Sequence, residues 1–349
     1  MISTTKDANA TRSNYRRRGL SLVEILVVLA IVAVLAGLLS IAILRSRAAS
    51  RSAVCANNLR QIGVAFISYE AAHRVFPPSC DPKNFSFHVQ ILPQFERSDI
   101  HLPFQSFSYD KEGWIQEMRK LPLSHGLSVY RCPDSSVMPY QRDRMEGDPV
   151  EYDFAAKLGE YELDFTSYLA CIGSKTALRD VSLTGLFALV PSRARVRAAE
   201  VKRGLSNTLA VSEGAGFDLV RLGNLYDERL TDFAKGIIYR TEKRYDNPDE
   251  LAKDCSLGIG TTAMPLVVGY GWSNSGTDNM FTTWLPPNSR SCLNKGSPQG
   301  APISASSHHG RYVNACFGDG SVRQMSDDVD VNAWEAMGRI SNIANPLAP

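Results

Sequence analysis

An excess of charge of one sign is missing. Lys and Arg number 38 against 36 Asp and Glu over 349 residues, so no global field invites a nucleic-acid partner. A second apolar run of membrane length is missing too, which limits the chain to a single crossing. Proline is absent from Leu20 to Arg74, leaving that stretch free to form one uninterrupted helix. No internal repeat occurs, so solenoid and propeller architectures are excluded. Neither a nucleophile elbow nor an oxyanion device is legible, which leaves a hydrolase reading without its machinery.

What is present is concentrated near the start. Ile25–Leu44 reads ILVVLAIVAVLAGLLSIAIL, 20 residues without a charge. Roughly 20 apolar residues rising about 1.5 Å each cross a hydrocarbon core of about 30 Å. A buried core helix would carry a polar stripe, and none is visible. A cleaved secretory signal has an apolar region of about 7–15 residues before small residues. Here the run is longer and is followed by the basic RSRAASR. A membrane segment over 25–44 is the reading.

Residues 1–19 are polar, with Lys6, Arg12, Arg16, Arg17 and Arg18 against Asp7 alone. Glu24 precedes the apolar run and lies five residues after Gly19. A carboxylate at the edge of a membrane segment costs a few kcal/mol unless something pairs with it. The plainer alternative is a Glu at the water interface, favoured near a helix N-terminus.

The stretch from Arg16 to Glu24, RRRGLSLVE, resembles the leader of type IV prepilins and type II secretion pseudopilins. The resemblance implies a prepilin peptidase/methyltransferase that cuts between Gly19 and Leu20 and methylates the new N-terminus. It also implies other pseudopilin subunits as partners. Glu24, the fifth residue of the cut chain, would pair with a neighbour's new amine, offsetting the burial of both charges. Leu20 departs from the Phe usual in that family. By the same resemblance the chain sits in the inner (cytoplasmic) membrane, N-terminus cytoplasmic and head periplasmic. Charge alone orients it weakly, because Arg45, Arg47 and Arg51 flank the far end.

The organisation expected is a leader over 1–19, a long helix over 20–74 and a globular head over 75–349. Beyond the membrane, Cys55, Leu59, Ile62, Phe66 and Tyr69 recur at spacings of 4, 3, 4 and 3, the apolar stripe of a helix packed on a core. Pro77-Pro78 stops that helix, with Arg74 in its last turn. HVQILPQF, SVYRCPD, TSYLACIG, NTLAVSEG and VNACFGDGSVRQM read as strands or strand–turn pieces. The charge-rich 147–165 and 223–254 read as loops or short helices, and 273–306 as a long surface loop. The fold class is α+β: a long N-terminal helix packed on an antiparallel β-sheet head with large loop insertions, pilin-like.

Several pieces resemble the planctomycete-type pseudopilin-like family that carries the domain of unknown function numbered 1559. They are CANNLRQIGVAFISYEAAHRVFPPS (Cys55–Ser79), RCPD (Arg131–Asp134), GLSNTLAVSEG (Gly204–Gly214), FTTWLPPNSRSC (Phe281–Cys292) and the H-X9-DG signature. The last is His309, nine residues, then Asp319-Gly320. His308-His309-Gly310-Arg311-Tyr312 departs from the family's usual His-Pro-Gly-Gly.

Asp319-Gly320 between apolar runs reads as a two-residue hairpin turn, since Gly tolerates positive φ. In that reading Asp319 caps the turn and His309 bonds nearby backbone. The rival is a metal site using His309 and Asp319. Zinc wants three or four ligands, so calcium on Asp319, Asp327, Asp328 and Asp330 is the better metal; a solvated acidic face is the plainer account. A catalytic reading would draw on Ser306 or Ser307, His308 or His309, and Asp319.

Seven cysteines suit an oxidising compartment. Cys55 and Cys132 both fall in family-matching segments, which opens a helix-to-head bridge, and Cys255 with Cys292 is a pair that would close the long loop. Connectivity does not follow from sequence. The function expected is a pseudopilin structural subunit, not an enzyme, with no cofactor. The rival is a monomeric membrane-anchored module whose head binds a polysaccharide or a protein; the third class is an anchored hydrolase.

Overall fold

The computed structural model describes residues 22–108, 117, 120–124, 126–135, 140–141, 162–174, 185–187, 195–216, 235–269, 271–273, 279–295 and 301–341. It divides into two compact units, 1–49 and 50–349. Helix α1 (Leu22–His73) begins in the first and continues into the second.

In the first unit every described residue, Leu22 to Ala49, is exposed. Exposed Leu, Ile and Val side chains on all sides suit lipid and not water. The chain thus carries one long apolar N-terminal helix with the length and character of a membrane anchor.

In the second unit α1 becomes one-sided. Cys55, Leu59, Ile62, Phe66 and Tyr69 are all buried, together with Ser52, Asn58, Gly63 and Ala65. The helix stops one residue earlier than expected. Arg74 takes the left-handed conformation at φ 61° and donates its N–H to the Glu70 carbonyl at 2.7 Å, a left-handed C-terminal cap in place of a last helical turn.

The head is built on two sheets. The larger has the order β10 (Val322–Ser326), β9 (Tyr312–Phe317), β4 (Leu209–Glu213), β3 (Tyr168–Cys171), β7 (Met280–Phe281). Its first three pairings are antiparallel and β3–β7 is parallel. The smaller orders β6 (Thr261–Val267), β5 (Ile237–Thr241) and β8 (Ser291–Leu293), again with one parallel edge, β5–β8. A two-stranded ladder joins β1 (Tyr140–Gln141) and β2 (Glu162–Leu163). The class is α+β, with mixed sheets: mainly antiparallel, each larger sheet finished by a parallel edge strand.

Strand alternation sorts the core into two layers. Tyr168 and Ala170 of β3 and Cys316 of β9 meet Leu59, Ile62, Phe66 and Tyr69 of α1 in one cluster. Leu169 and Cys171, with Val313, Ala315 and Phe317, face the other side, against Ile238, Ile303 and Trp334. In β4 the period breaks, because the register shifts between Leu209 and Val211. That bulge lets Ala210 and Val211 both join the helix-side cluster.

Helix α4 (Pro248–Leu257) packs through Cys255 on Ile237 and Tyr239 of the smaller sheet, and α5 (Val331–Met337) packs through Trp334 into the second layer. Asn247 accepts the Asp249 N–H to start α4, with Pro248 in its first turn and Gly258 closing it at φ 72°. Asp330 accepts the Ala333 N–H to start α5. On α5, Trp334 is fully buried and donates its indole N–H to the Leu285 carbonyl at 2.9 Å.

Several segments differ from the sequence reading. Residues 223–254, expected as loops or short helices, contain strand β5, and 147–165, expected likewise, contain β2. His88–Phe95 forms α2 (Phe87–Gln90) and a 3₁₀ turn (Leu92–Phe95), followed by α3 (Ser98–Ser106); Pro93 removes the donor a strand would need. Ser128–Asp134 is a 3₁₀ turn (Ser128–Tyr130) followed by a tight turn through Pro133. Within residues 273–306, expected as a long surface loop, Met280–Phe281 and Ser291–Leu293 are strands, and 301–306 are buried throughout. Small side chains make that burial feasible, and their polar groups are satisfied locally. Thr282 N–H donates to the Ile303 carbonyl at 2.8 Å, Asn288 N–H to Ala305 at 2.7 Å, and Ser304 N–H to Ser291 Oγ at 3.0 Å.

Candidate functional site

Strand β9 pairs between β10 and β4 in the larger sheet, and its two flanks carry the two halves of the H-X9-DG pattern. At the far flank, Phe317 and Ser321 are bridged by a 2.9 Å backbone hydrogen bond around a three-residue loop, one longer than the two-residue turn expected. Gly320 sits there at φ 81°, as a left-handed residue closing such a loop does. Asp319 Oδ1 accepts the Ser321 N–H at 3.0 Å and its hydroxyl at 2.7 Å. Burial alone would raise the Asp319 carboxyl; those bonds from Ser321 outweigh it and hold the group below its ordinary range. The loop presses on α1: a Cβ on Gly63 would stand 3.2 Å from the Gly320 Cα.

At the near flank, His309 enters a buried polar cluster. Its side chain is 2% exposed and its Nδ1 lies 2.7 Å from Asp134 Oδ2, in the RCPD turn. Its Nε2 lies 3.4 Å from Glu213 Oε1, at the end of β4. Asp134 in turn pairs with Arg51 on α1. Glu213 also accepts the backbone N–H and the side-chain amide of Asn314, each at 2.8 Å. Signs therefore alternate along Arg51, Asp134, His309 and Glu213, which is how buried charge is tolerated. Burial by itself lowers the His309 pKa; Glu213 and then Asp134 outweigh it and leave the imidazole above its ordinary 6.5.

The same cluster is stapled covalently. Cys55 of α1 is disulfide-bonded to Cys132 of the RCPD turn, with Cα atoms 5.4 Å apart. Cys132 Sγ is 3.4 Å from His309 Nε2. Asn58 donates to the Arg131 carbonyl at 3.0 Å, Cys132 N–H donates to Ser167 Oγ at 3.0 Å, and the Tyr312 hydroxyl bonds Ser52 Oγ at 3.0 Å. A second disulfide, Cys255–Cys292, ties α4 to β8. Cys171 and Cys316 remain buried thiols, both pushed up by burial, Cys171 to about 12.

His309 and Asp319 thus stand at opposite ends of β9 and share no site. His309 bonds side chains from two other segments where local backbone was expected. The acidic residues considered for calcium serve separate tasks: Asp319 caps its loop, Asp327 pairs with Arg311 at 3.0 Å, and Asp330 caps α5. The serines considered for catalysis sit against backbone. Ser306 Oγ accepts the Ala215 N–H, Ser307 Oγ accepts the His309 backbone N–H, and His308 Nε2 lies on the Gly216 carbonyl. Among the described residues, a different set comes together: donor atoms of Cys55, Cys132, Glu213 and His309 lie within 4.8 Å of one another. Asp134 and Glu213 sit inside the RCPD and SEG segments already singled out; Arg51 and Asn314 had no signal beyond their neighbourhood. Gly19 and Leu20 lie outside the described residues. Glu24 is on the exposed first turn of α1.

Two family models match the chain. One, described as protein of unknown function (DUF1559), covers residues 45–332. The other, the prokaryotic N-terminal methylation motif, covers residues 14–40. No curated protein and no solved structure matches.

Proposed function

This chain belongs to the DUF1559 family and carries the prokaryotic N-terminal methylation motif of prepilin-like proteins, and on that premise we propose that it is a pseudopilin subunit of a type II secretion or type IV pilus-like assembly. The observation that carries the reading is the first unit of α1. It is continuous helix, apolar on every side over Ile25–Leu44, with one carboxylate, Glu24, in its first turn.

A prepilin peptidase removes residues 1–19 after Gly19 and methylates the amine of Leu20. The helix is then held in the inner membrane with the head outside the cytoplasm. Glu24, at the edge of the apolar run, pairs with the amine of an adjacent subunit, and the two buried charges offset one another. The helix supplies polymerisation and the head supplies the contact surface; no step of this role calls on a catalytic group. The Cys55–Cys132 disulfide and the Arg51–Asp134–His309 chain suit a subunit whose head must transmit load to its helix.

The test is intact mass and N-terminal sequencing of the protein purified from its own membranes. A chain starting at Leu20, with about 14 Da of methyl mass, supports the reading. Glu24→Ala should then leave processing intact and abolish co-purification with other subunits. A chain that keeps its leader, or a Glu24→Ala chain that assembles normally, would leave a plain membrane-anchored binding module in its place.

A further inference from the structure

We propose that the cluster under His309 is a zinc-type metal site whenever the Cys55–Cys132 disulfide is reduced, with Cys55 Sγ, Cys132 Sγ, His309 Nε2 and a Glu213 carboxylate oxygen as its four ligands. The disulfide and the metal are then alternative cross-links between the same two points, one on α1 and one on the RCPD turn.

The donor set is the first argument. Two sulfurs, an imidazole nitrogen and a carboxylate oxygen form a tetrahedral zinc complement, and thiolates select against calcium and magnesium. Geometry is the second. Bonds of about 2.3 Å to sulfur and 2.0–2.1 Å to nitrogen or oxygen, at tetrahedral angles, separate neighbouring donors by about 3.4–3.8 Å. Cys132 Sγ to His309 Nε2 is 3.4 Å, and His309 Nε2 to Glu213 Oε1 is 3.4 Å. All four donors already lie within 4.8 Å of one another, and opening the S–S bond, which reduction supplies, frees the two sulfurs to close on the metal.

Orientation of the ligands is the third. His309 places Nδ1 on Asp134, which leaves Nε2 turned toward the sulfurs, the arrangement by which a carboxylate fixes a metal-bound imidazole. Arg51 holds Asp134 from behind, and Asn314 holds Glu213 through two N–H groups. Cys55 and Glu213 are rooted on regular elements, α1 and β4, and the pocket is dry, with Cys55 at 0% and Glu213 at 2% exposed.

The chemistry balances by thiol–disulfide exchange. A dithiol reductant gives two electrons and two protons to the disulfide, becoming a disulfide itself and leaving two thiols. Zinc then displaces both thiol protons and any proton on His309 Nε2. The product keeps the helix clamped without the covalent bond.

The experiment uses the detergent-solubilised full chain with Zn²⁺ and Co²⁺ as probes. The phosphine-reduced chain should bind one Zn²⁺ that the oxidised chain does not, and Co²⁺ should give thiolate-to-cobalt charge-transfer absorption. Asp134→Asn, which leaves all four ligands in place, should weaken binding about 10–100-fold. Cys55→Ser with Cys132→Ser should remove the cobalt signal. If that double variant fails to fold, Asp134→Asn decides the matter. Equal zinc uptake by oxidised and reduced chains, a cobalt signal surviving in the folded double variant, or unchanged affinity in Asp134→Asn would each overturn the assignment.

Discussion

Gly63 lies in the middle of a helical stretch where glycine ought to be a defect, and that makes its substitution a sharp probe of how the head grips α1. In an ordinary helix, Gly→Ala gains about 1 kcal/mol from propensity. Here a Cβ would stand 2.9 Å from Cys316 Sγ and 3.2 Å from the Gly320 Cα. The second contact is backbone, so the hairpin loop must move. Overpacking of that kind costs about 1–3 kcal/mol. The crowding term wins, and Gly63→Ala should destabilise the head by about 1 kcal/mol net, lowering its melting temperature by about 2–4 °C. Thermal unfolding of the detergent-solubilised full chain, followed by circular dichroism, reads this out. Cys316→Ala should relieve part of the penalty, so the two changes together cost less than the sum of each alone. A Gly63→Ala chain that melts above the parent would refute the close approach and return the glycine to a mere lapse in propensity.

Two further predictions rest on the head. His88 is fully buried and held neutral: its Nδ1 lies 3.3 Å from the Ser86 hydroxyl, which donates to the Trp272 carbonyl at 2.6 Å, and its Nε2 lies 3.1 Å from Thr166 Oγ1. The rings of Phe87 and Tyr130 close the site, and among the described residues no charged group pairs with it. Burial lowers its pKa from 6.5 to about 3. Stability from this site is therefore complete above pH 6.5 and falls as the pH drops toward 3, by about 1.4 kcal/mol per pH unit. Urea unfolding at pH 7, 6 and 5 should show that slope in the parent and a shallower one in His88→Gln; equal slopes would assign the acid sensitivity elsewhere. Cys255–Cys292 closes a separation of 37 residues, for which loop-closure entropy gives about 3–4 kcal/mol. Cys255→Ala should lower the urea midpoint accordingly, and a midpoint unchanged from the parent would show that α4 and β8 are held by packing alone.

Much of the fold was readable where one physical rule dominates. Twenty uncharged residues have few options besides lipid, and spacings of 4, 3, 4 and 3 place Cys55, Leu59, Ile62, Phe66 and Tyr69 on one face. Short strand-like runs bounded by turn signals likewise located β3 and β4, and the alternation of Val313, Ala315 and Phe317 with the Asp319-Gly320 turn located the β9–β10 hairpin. Reading failed where burial and polarity part company. Residues 301–307 look like solvent-loving loop, yet Ser304, Ser306 and Ser307 are buried, because each small polar group meets a backbone partner that no local pattern announces. His88–Phe95 has the apolar content of a strand, but Pro93 diverts it into helical turns.

The H-X9-DG pattern shows why a site can be visible as a motif and still be misread as chemistry. Its spacing invites the idea that His309 and Asp319 meet, whereas the strand between them holds them apart. Tyr312 and Asn314 reach Ser52, while Cys316 and Gly320 reach Gly63. From Ser52 to Gly63 is 11 residues, about 16 Å of helix at 1.5 Å per residue. The six residues of β9 span about 20 Å at roughly 3.3 Å each. The interval in the motif is thus a length: the strand needed to run between two fastenings on α1, one polar and disulfide-bonded, the other a glycine-to-glycine contact. Changing the interval by one residue would move the hairpin glycine off Gly63 and turn every side chain of β9 to the opposite face. The partners of His309 are Asp134 and Glu213, with Arg51 behind Asp134, on segments brought together only when the sheet closes on the helix. Spacing within one motif carries no information about them.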